Sequence, residues 1–396
     1  MDLKTESLEL HKKNHGKLET VSKVKIQDMH DLSLAYTPGV AFACKEIEKN
    51  PEEAYTYTSK SNMVAVITDG SAVLGLGNIG PYGAIPVMEG KSILMKELAG
   101  VDSIPICLKT QDVEEIIKTC KYLEPTLGAI NLEDISAPRC VEIERRLIKE
   151  MDIPVFHDDQ HGTSIIVAAA FFNIQRLTKR KFEDMTVVMS GTGAAGSMIA
   201  KMLKRIGIGK IYAYDITGVI DKKKYDSYNF LIKELLDEGT YDTPALHDNT
   251  LRSIMKGADA FIGVSAPNLV DIEMVKSMNE NAIVFAMANP TPEISYDDAL
   301  KAGAYIVGSG RSDYPNQINN VLAFPGLFKG ALAVRASKIN EEMKLAAAKA
   351  IANVIPENEL KPDYIVPTAF DKRVVEAVSK AVSEAAIKTG VSKLHK

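Results

Sequence analysis

The run Met185-Thr-Val-Val-Met-Ser190 is apolar and rich in strand-forming residues, and it leads directly into Gly191-Thr-Gly-Ala-Ala-Gly196. A helix-forming stretch without proline follows to Ile206. Strand, glycine turn and helix in this order leave few folds open. The first glycine permits a tight turn, the second lets a pyrophosphate approach the backbone, and the third lets helix and strand touch. The helix N-terminus then faces the anion. A second strand, Lys210-Ile-Tyr-Ala-Tyr-Asp215, ends in an acid at the spacing expected for a group that binds a ribose hydroxyl. The pattern predicts a Rossmann unit with Gly191, Thr192, Gly193, Ala194, Ala195, Gly196 and Asp215 around a dinucleotide. Asp215 favours NAD, because a carboxylate accepts from the 2′-hydroxyl and repels a 2′-phosphate. NADP stays open through Lys222, Lys223 and Lys224, although a solvated charge run is the plainer reading of those lysines.

The same alternation extends through the chain. Strand patterns at Met63–Thr68, Ser103–Leu108, Ala129–Leu132 and Ile153–Phe156 precede the glycine turn, each separated by a helical pattern. Ala258–Ser265, Ala282–Ala288 and Ala304–Gly308 follow it. Strands alternating with helices imply parallel pairing through right-handed crossovers. A length of 396 residues suits two such domains. The expected class is α/β: an N-terminal parallel-sheet substrate and metal domain over 1–163, and a Rossmann domain over 164–396. The Ala- and Lys-rich helices after Ala331 are expected to pack back on the first domain. The N-terminus reads as two polar helices, Ser7–His15 and Glu19–Lys25, and a long apolar helix is expected over Ser164–Leu177. A second match to the glycine pattern, Gly75, Gly77 and Gly80, runs into Pro81, and its next strand ends at Leu108-Lys109 instead of an acid. It reads as a backbone-dense substrate loop.

A net charge of −5, with Lys and Arg scattered, argues against a nucleic-acid binder. No apolar run has the length of a membrane span, and the charged N-terminus lacks a signal-peptide core. Cys44, Cys107, Cys120 and Cys140 show no C-x-x-C spacing, which suits reduced thiols in the cytoplasm and argues against structural zinc.

The chemistry gathers around Pro154-Val-Phe-His-Asp-Asp-Gln-His-Gly-Thr163. Glu133-Asp134 and Asp158-Asp159 both end strand patterns, so a parallel sheet brings all four carboxylates to one edge. There they repel unless a cation lies between them, and an all-oxygen set suits Mg²⁺ or Mn²⁺. Both Glu133 and Asp134 can ligate only where the strand has broken into loop, since strand neighbours face opposite ways. The rival is zinc or iron on His157 and His161, but that pair reads as lying before the helix and as supporting the site. The plain alternative for the whole stretch is a helix cap. Tyr36 and Lys91 are the candidate proton-transfer groups, with packing and solvation as their bland readings. Lys91 stands near a helix start, where a cation is disfavoured.

Ala35-Tyr-Thr-Pro-Gly-Val-Ala, Thr68-Asp-Gly-Ser-Ala-Val-Leu-Gly-Leu-Gly-Asn-Ile-Gly, Asn131-Leu-Glu-Asp, Phe156-His-Asp-Asp-Gln-His-Gly-Thr and Ala288-Asn-Pro-Thr-Pro-Glu, in this order, resemble the malic enzymes, and the compact bacterial type in particular. The resemblance runs from about residue 10 to the end. It implies oxidative decarboxylation of L-malate to pyruvate and CO₂. It casts Lys91 as general base, Tyr36 as general acid, and Asp158 as the acid that tunes the lysine. Glu133, Asp134 and Asp159 would be metal ligands, and Asn289 and Asn320 substrate contacts, Asn289 also lying beside the cofactor. A homodimer is expected. One departure stands out: the larger malic enzymes carry a carboxylate-binding arginine where this chain reads Ser71-Ala72. The clamp is then left to backbone amides, asparagines or a partner subunit. A malolactic enzyme, which converts malate to lactate with bound NAD, and a non-catalytic dinucleotide sensor are the alternatives.

Overall fold

The apolar runs of the first half become four parallel strands: β1 (Met63–Thr68), β2 (Asp102–Cys107), β3 (Ala129–Leu132) and β4 (Val155–His157). They are shown by a computed structural model that describes residues 2–73, 75–245 and 248–394. Their order is β2-β1-β3-β4. Val64–Ile67 of β1 are fully buried, as a continuous apolar run in a parallel sheet covered on both faces requires. Helices α1 (Gly80–Ala99), α2 (Val113–Leu123) and α3 (Arg139–Glu150) are the crossovers.

The second sheet holds β5 (Thr186–Ser190), β6 (Lys210–Asp215), β7 (Gly218–Val219), β8 (Ala260–Gly263), β9 (Ile283–Ala286) and β10 (Ile306–Ser309). The order is β10-β9-β8-β5-β6-β7, parallel except for β7, which turns back on β6 in a short hairpin absent from the strand pattern. The chain runs outward from β5 to β6 and returns on the other side at β8. The crevice where the order reverses, at the carboxyl ends of β5 and β8, is where an open α/β sheet binds its ligand.

Helix α4 (Asp158–Thr178) joins the two sheets and is buried along most of its length, from Ser164 to Phe171 without a break. A helix apolar on all sides belongs inside. It packs on α5 (Ala194–Ile206) of the dinucleotide unit and on α7 (Glu341–Asn353). Two further late helices, α6 (Phe324–Ala333) and α8 (Lys372–Lys388), touch α1 of the first sheet. Phe328 of α6 meets Phe156 of β4 edge-on, with centroids 5.8 Å apart.

Three expectations need correction. The long helix starts at Asp158 rather than Ser164. His157 has extended dihedrals (φ −99°, ψ 107°) and caps it, and Asp158 and Asp159 then lie in the first turn, where the helix dipole favours acids. His161 is therefore inside the helix, not ahead of it. Gly162 lies within that helix: a Cβ there would meet Asp158 Oδ1 at 2.0 Å and Asn320 Cβ at 2.7 Å. The close approach outweighs the roughly 1 kcal/mol that glycine costs in a helix. Finally, Glu19–Lys25 is not helical. Thr20, Val21 and Val24 are poor helix formers, the segment buries no face, and the Val24 N–H donates to Ser22 Oγ at 3.3 Å. Among residues 2–50 no side chain is buried, and Leu3, Leu8, Val21, Ile26, Met29 and Phe42 stand exposed.

Candidate active site

β3 ends at Leu132, so Glu133 and Asp134 lie in the loop beyond it, and the strand-parity objection to their ligating together disappears. Asp134 holds a left-handed backbone (φ 53°), a conformation that Asp tolerates better than most residues. Its N–H donates to Asp159 Oδ2 at 2.7 Å, which ties the loop to the first turn of α4. One carboxylate oxygen from each of Glu133, Asp134 and Asp159 lies within 4.8 Å of the others. Three hard oxygen donors at this separation, two of them on buried residues, fit a small divalent cation and not a zinc site of N and S ligands. His157 lies beside the cluster, its Nδ1 3.8 Å from Asp159 Oδ2. Burial lowers its pKa to about 4, so the ring is neutral at physiological pH.

Lys91 comes from the middle of α1, which begins at Gly80, and not from a helix start as its Glu89-Gly90 neighbours suggest. Its Nζ lies 2.9 Å from Glu133 Oε1, contacts Asp158 Oδ2, and sits 4.5 Å from the centre of the Phe324 ring. Burial alone would lower its pKa. The charges of Asp158, Glu133 and Asp159 outweigh burial and raise it. The acids respond in turn. Burial pushes Asp158 up to about 7 against the pull of Lys91. Glu133 rises to about 6, through burial opposed by Lys91 and then the repulsion of Asp159. Such mutual perturbation of buried charges is shared by functional sites and structural ion-pair networks.

A cleft of about 420 Å³ opens over this cluster, and both sheets contribute to its wall. Asp134, Ser136 and Asp159 line it from the first unit. Ala194 and Ala195, Asn289 after β9, and Asn320 before α6 line it from the second. Glu293, fully buried, fixes two of the rim loops by accepting from the N–H groups of Ser265 (2.8 Å) and Ala288 (3.1 Å). Gly75 packs on the Asn289-Pro290 loop, where a Cβ would meet Asn289 O at 2.9 Å, so the earlier glycine cluster is part of the cleft wall.

The dinucleotide turn has the spacing the motif demands. A Cβ on Gly196 would strike Gly191 O at 1.9 Å, whereas one on Gly193 would meet nothing within 4 Å. The first is therefore a packing glycine, and the second leaves its backbone face open for a pyrophosphate. Thr192 Oγ1 donates to Asp215 Oδ2 (2.9 Å), and Thr217 donates to Oδ1 through N–H (2.8 Å) and hydroxyl (2.7 Å).

Residues 15–148 match the family model for the malic enzyme N-terminal domain, and residues 160–391 match the model for the malic enzyme NAD binding domain. The chain belongs to the malic enzyme family. It is 53% identical over 394 residues to the bifunctional malic/malolactic enzyme of Bacillus subtilis, covering 100% of this chain and 95% of that protein. It is 52% identical over 389 residues to the NAD-dependent malic enzyme of Geobacillus stearothermophilus, covering 96% and 78%. The NAD-dependent malic enzyme of Thermotoga maritima superposes with a TM-score of 0.91 at 47% identity, covering 97% and 99%. Membership makes the protein an enzyme of the malate-oxidising, NAD(P)-linked class, and the oxygen triad is consistent with its divalent metal. The two-domain α/β architecture is the one expected from sequence.

Of the residues predicted for malic enzyme chemistry, Lys91, Glu133, Asp134, Asp158 and Asp159 lie together, and Asn289 and Asn320 share a cleft with Asp134 and Asp159. Tyr36 does not join them. It caps the helix Met29–Ala35 and is 67% exposed. Several supporting residues escaped the sequence reading. Asn131, on β3 two residues upstream, holds Glu133 Oε2 through its Nδ2 at 2.8 Å. Glu144 accepts from the His157 N–H (2.8 Å) and pairs with His161 Nε2 (2.9 Å), and Lys344 Nζ reaches the same ring at 3.0 Å. Their distance along the chain leaves no local signal.

Proposed function

We propose that this malic enzyme oxidises and decarboxylates L-malate to pyruvate and CO₂, prefers NAD to NADP, and uses Lys91 as general base and Tyr36 as general acid. One observation carries the reading: Asp134 and Asp159 of the oxygen triad line a single cleft with Ala194 and Ala195 at the dinucleotide helix N-terminus. Glu133, Asp134 and Asp159 would hold Mg²⁺ or Mn²⁺, which as a Lewis acid polarises the substrate's C2 oxygen. Gly191 to Gly196 would hold the NAD pyrophosphate and Asp215 its ribose, so that the nicotinamide end can accept a hydride. Asn289 and Asn320 orient the substrate from the second unit. Lys91, held between Asp158 and Glu133 and largely shielded from water, passes its ammonium proton to Asp158 and, as the neutral amine, takes the C2 hydroxyl proton. Asp158 tunes it, because a proton shared between the two needs little movement.

Preference for NAD rests on the Asp215 carboxylate, which Thr192 and Thr217 hold at the end of β6. Lys224 Nζ is engaged by Asn249 Oδ1 at 2.6 Å rather than turned toward a phosphate. Tyr36 is too exposed in one chain to protonate a buried carbon, and it belongs to the N-terminal segment with no buried side chain. A homodimer that covers this segment would bury its apolar residues and carry Tyr36 to a cleft. We place the boundary between the substrate and dinucleotide units at 163/164, inside α4, and assign the enzyme to the cytoplasm, where its four free thiols stay reduced. No helix among the described residues is long and apolar enough to cross a membrane.

The bifunctional Bacillus relative favours a second reading, malate to lactate on retained NAD. Product analysis decides. Pyruvate and NADH in equal amounts, lost with chelator and on Lys91→Ala, are expected. Lactate without NADH supports the second reading, and neither product overturns both.

A further inference from the structure

The guanidinium of Arg139, from the start of α3, reaches the Ser71-Ala72 loop on the wall of the cleft. Its Nη2 donates to Ser71 Oγ at 3.0 Å and to Ser136 Oγ at 2.9 Å, and pairs with Asp69 Oδ2 at 3.1 Å. Its Nη1 donates to the carbonyl of Gln111. The Ser136 N–H also donates to Ser71 Oγ, at 2.9 Å.

Asp69 is fully buried and takes up much of the arginine's charge, so Arg139 is not itself a free anion clamp. Its effect passes through the serines. Ser136 Oγ accepts from the guanidinium, which polarises its O–H bond, and among the described residues that proton has no acceptor. Ser136 also lines the substrate cleft beside Asp134, Asp159, Asn289 and Asn320. An oriented, polarised hydroxyl with an idle proton, on the wall of a cleft that must seat a dicarboxylate, is a carboxylate donor.

We propose that Ser136 is a substrate-binding and specificity-determining residue that donates to a carboxylate of malate, and that Arg139 is a positioning residue acting through it. The inference rests on the proposed malate reading. This relay binds the carboxylate through a hydroxyl polarised by a charged group, without a direct ion pair. Ser71, held by Arg139 and by the Ser136 N–H, fixes the geometry of the pair.

The test compares KM for malate, KM for NAD and kcat in wild type, Ser136→Ala, Ser136→Thr, Arg139→Gln and the double variant Ser136→Ala/Arg139→Gln. Losing a hydrogen bond to a charged group predicts a rise in malate KM of about tenfold or more for Ser136→Ala. KM for NAD stays put, and Ser136→Thr, which keeps the hydroxyl, restores most of the loss. If Arg139 acts through Ser136, the double variant is no worse in malate KM than Ser136→Ala alone. An unchanged malate KM in Ser136→Ala overturns the proposal. So does a parallel rise for malate and NAD, which would mark a general loosening, and so do additive losses for the arginine's role. Ser136→Ala carries the test if Arg139→Gln fails to fold. Calorimetric binding of malate, with Mn²⁺ present, to wild type and Ser136→Ala reads the subsite directly, even if wild type proves not to release pyruvate.

Discussion

Replacing Glu144 with glutamine tests the least obvious support of the site. Glu144 is buried, and its two oxygens do different work. Oε1 accepts from the N–H of His157, an otherwise open donor at the start of α4, and Oε2 pairs with the His161 ring in the next turn. Burial would raise its pKa, but His161, and then Lys344, outweigh burial and lower it from an ordinary 4.5 to about 2. At about 1.4 kcal/mol per unit, that shift corresponds to roughly 3 kcal/mol of stabilisation of the charged form. The folded pKa lies below the ordinary one, so this stabilisation is complete above about pH 4.5 and is lost as pH falls through about 2. Urea unfolding followed by circular dichroism, at steps from pH 7 down to pH 3, reads both predictions. Glu144→Gln should be less stable than wild type by about 3 kcal/mol at pH 7, and the gap should narrow below about pH 4.5. Equal stability at pH 7, or a gap that ignores acid, would refute the assignment of Glu144 as a charged anchor of α4.

Asp159→Asn should weaken Mn²⁺ binding by at least about tenfold in a spin-resonance titration while NAD binding persists, since Asp159 carries one of three clustered ligand oxygens. Asp215→Ser should shift the ratio of kcat/KM toward NADP by about tenfold or more, because it removes the charge that repels a 2′-phosphate; an unchanged ratio would show that selectivity lies elsewhere. A chain lacking residues 2–50 should sediment as a monomer and fail to turn over malate while still binding NAD. Those residues contribute no buried side chain to the described fold, so its thermal transition should barely move.

The periodic features of this protein were local and could be read along the chain. β1 and β5 each show as a run of residues that a covered parallel sheet buries on both faces, and the turn at Gly191–Gly196 declares itself because Gly191 and Gly196 leave no room for a Cβ. The start of α4 was misread because Asp158 to Gly162 is polar and glycine-terminated, which resembles a loop until the partners of those side chains are known. Glu19–Lys25 was misread for the opposite reason: polarity suited a surface helix, but nothing in the fold gives it a face to pack.

The candidate site divides along the same line. The acids at the ends of β3 and β4 were placed from sequence, because parallel strands share an edge whatever lies between them. Lys91 was placed in that site by family likeness, and the fold supplies its physical setting: Asp158 lies 67 residues away, and Phe324 comes from a helix of the other half. Arg139 on Ser71, Glu144 beneath α4, and the cleft shared by Asp159 and Asn289 are likewise contacts between segments apart in sequence. Sequence alone determined the main strands and the glycine turn, since those depend on neighbours a few residues away, whereas the start of α4 and the state of Glu19–Lys25 depended on tertiary partners. Only the packing of α4 between the two sheets decided which charges share a buried space, because the electrostatics of a site depend on distance and exclusion of water, and neither is written in the order of residues.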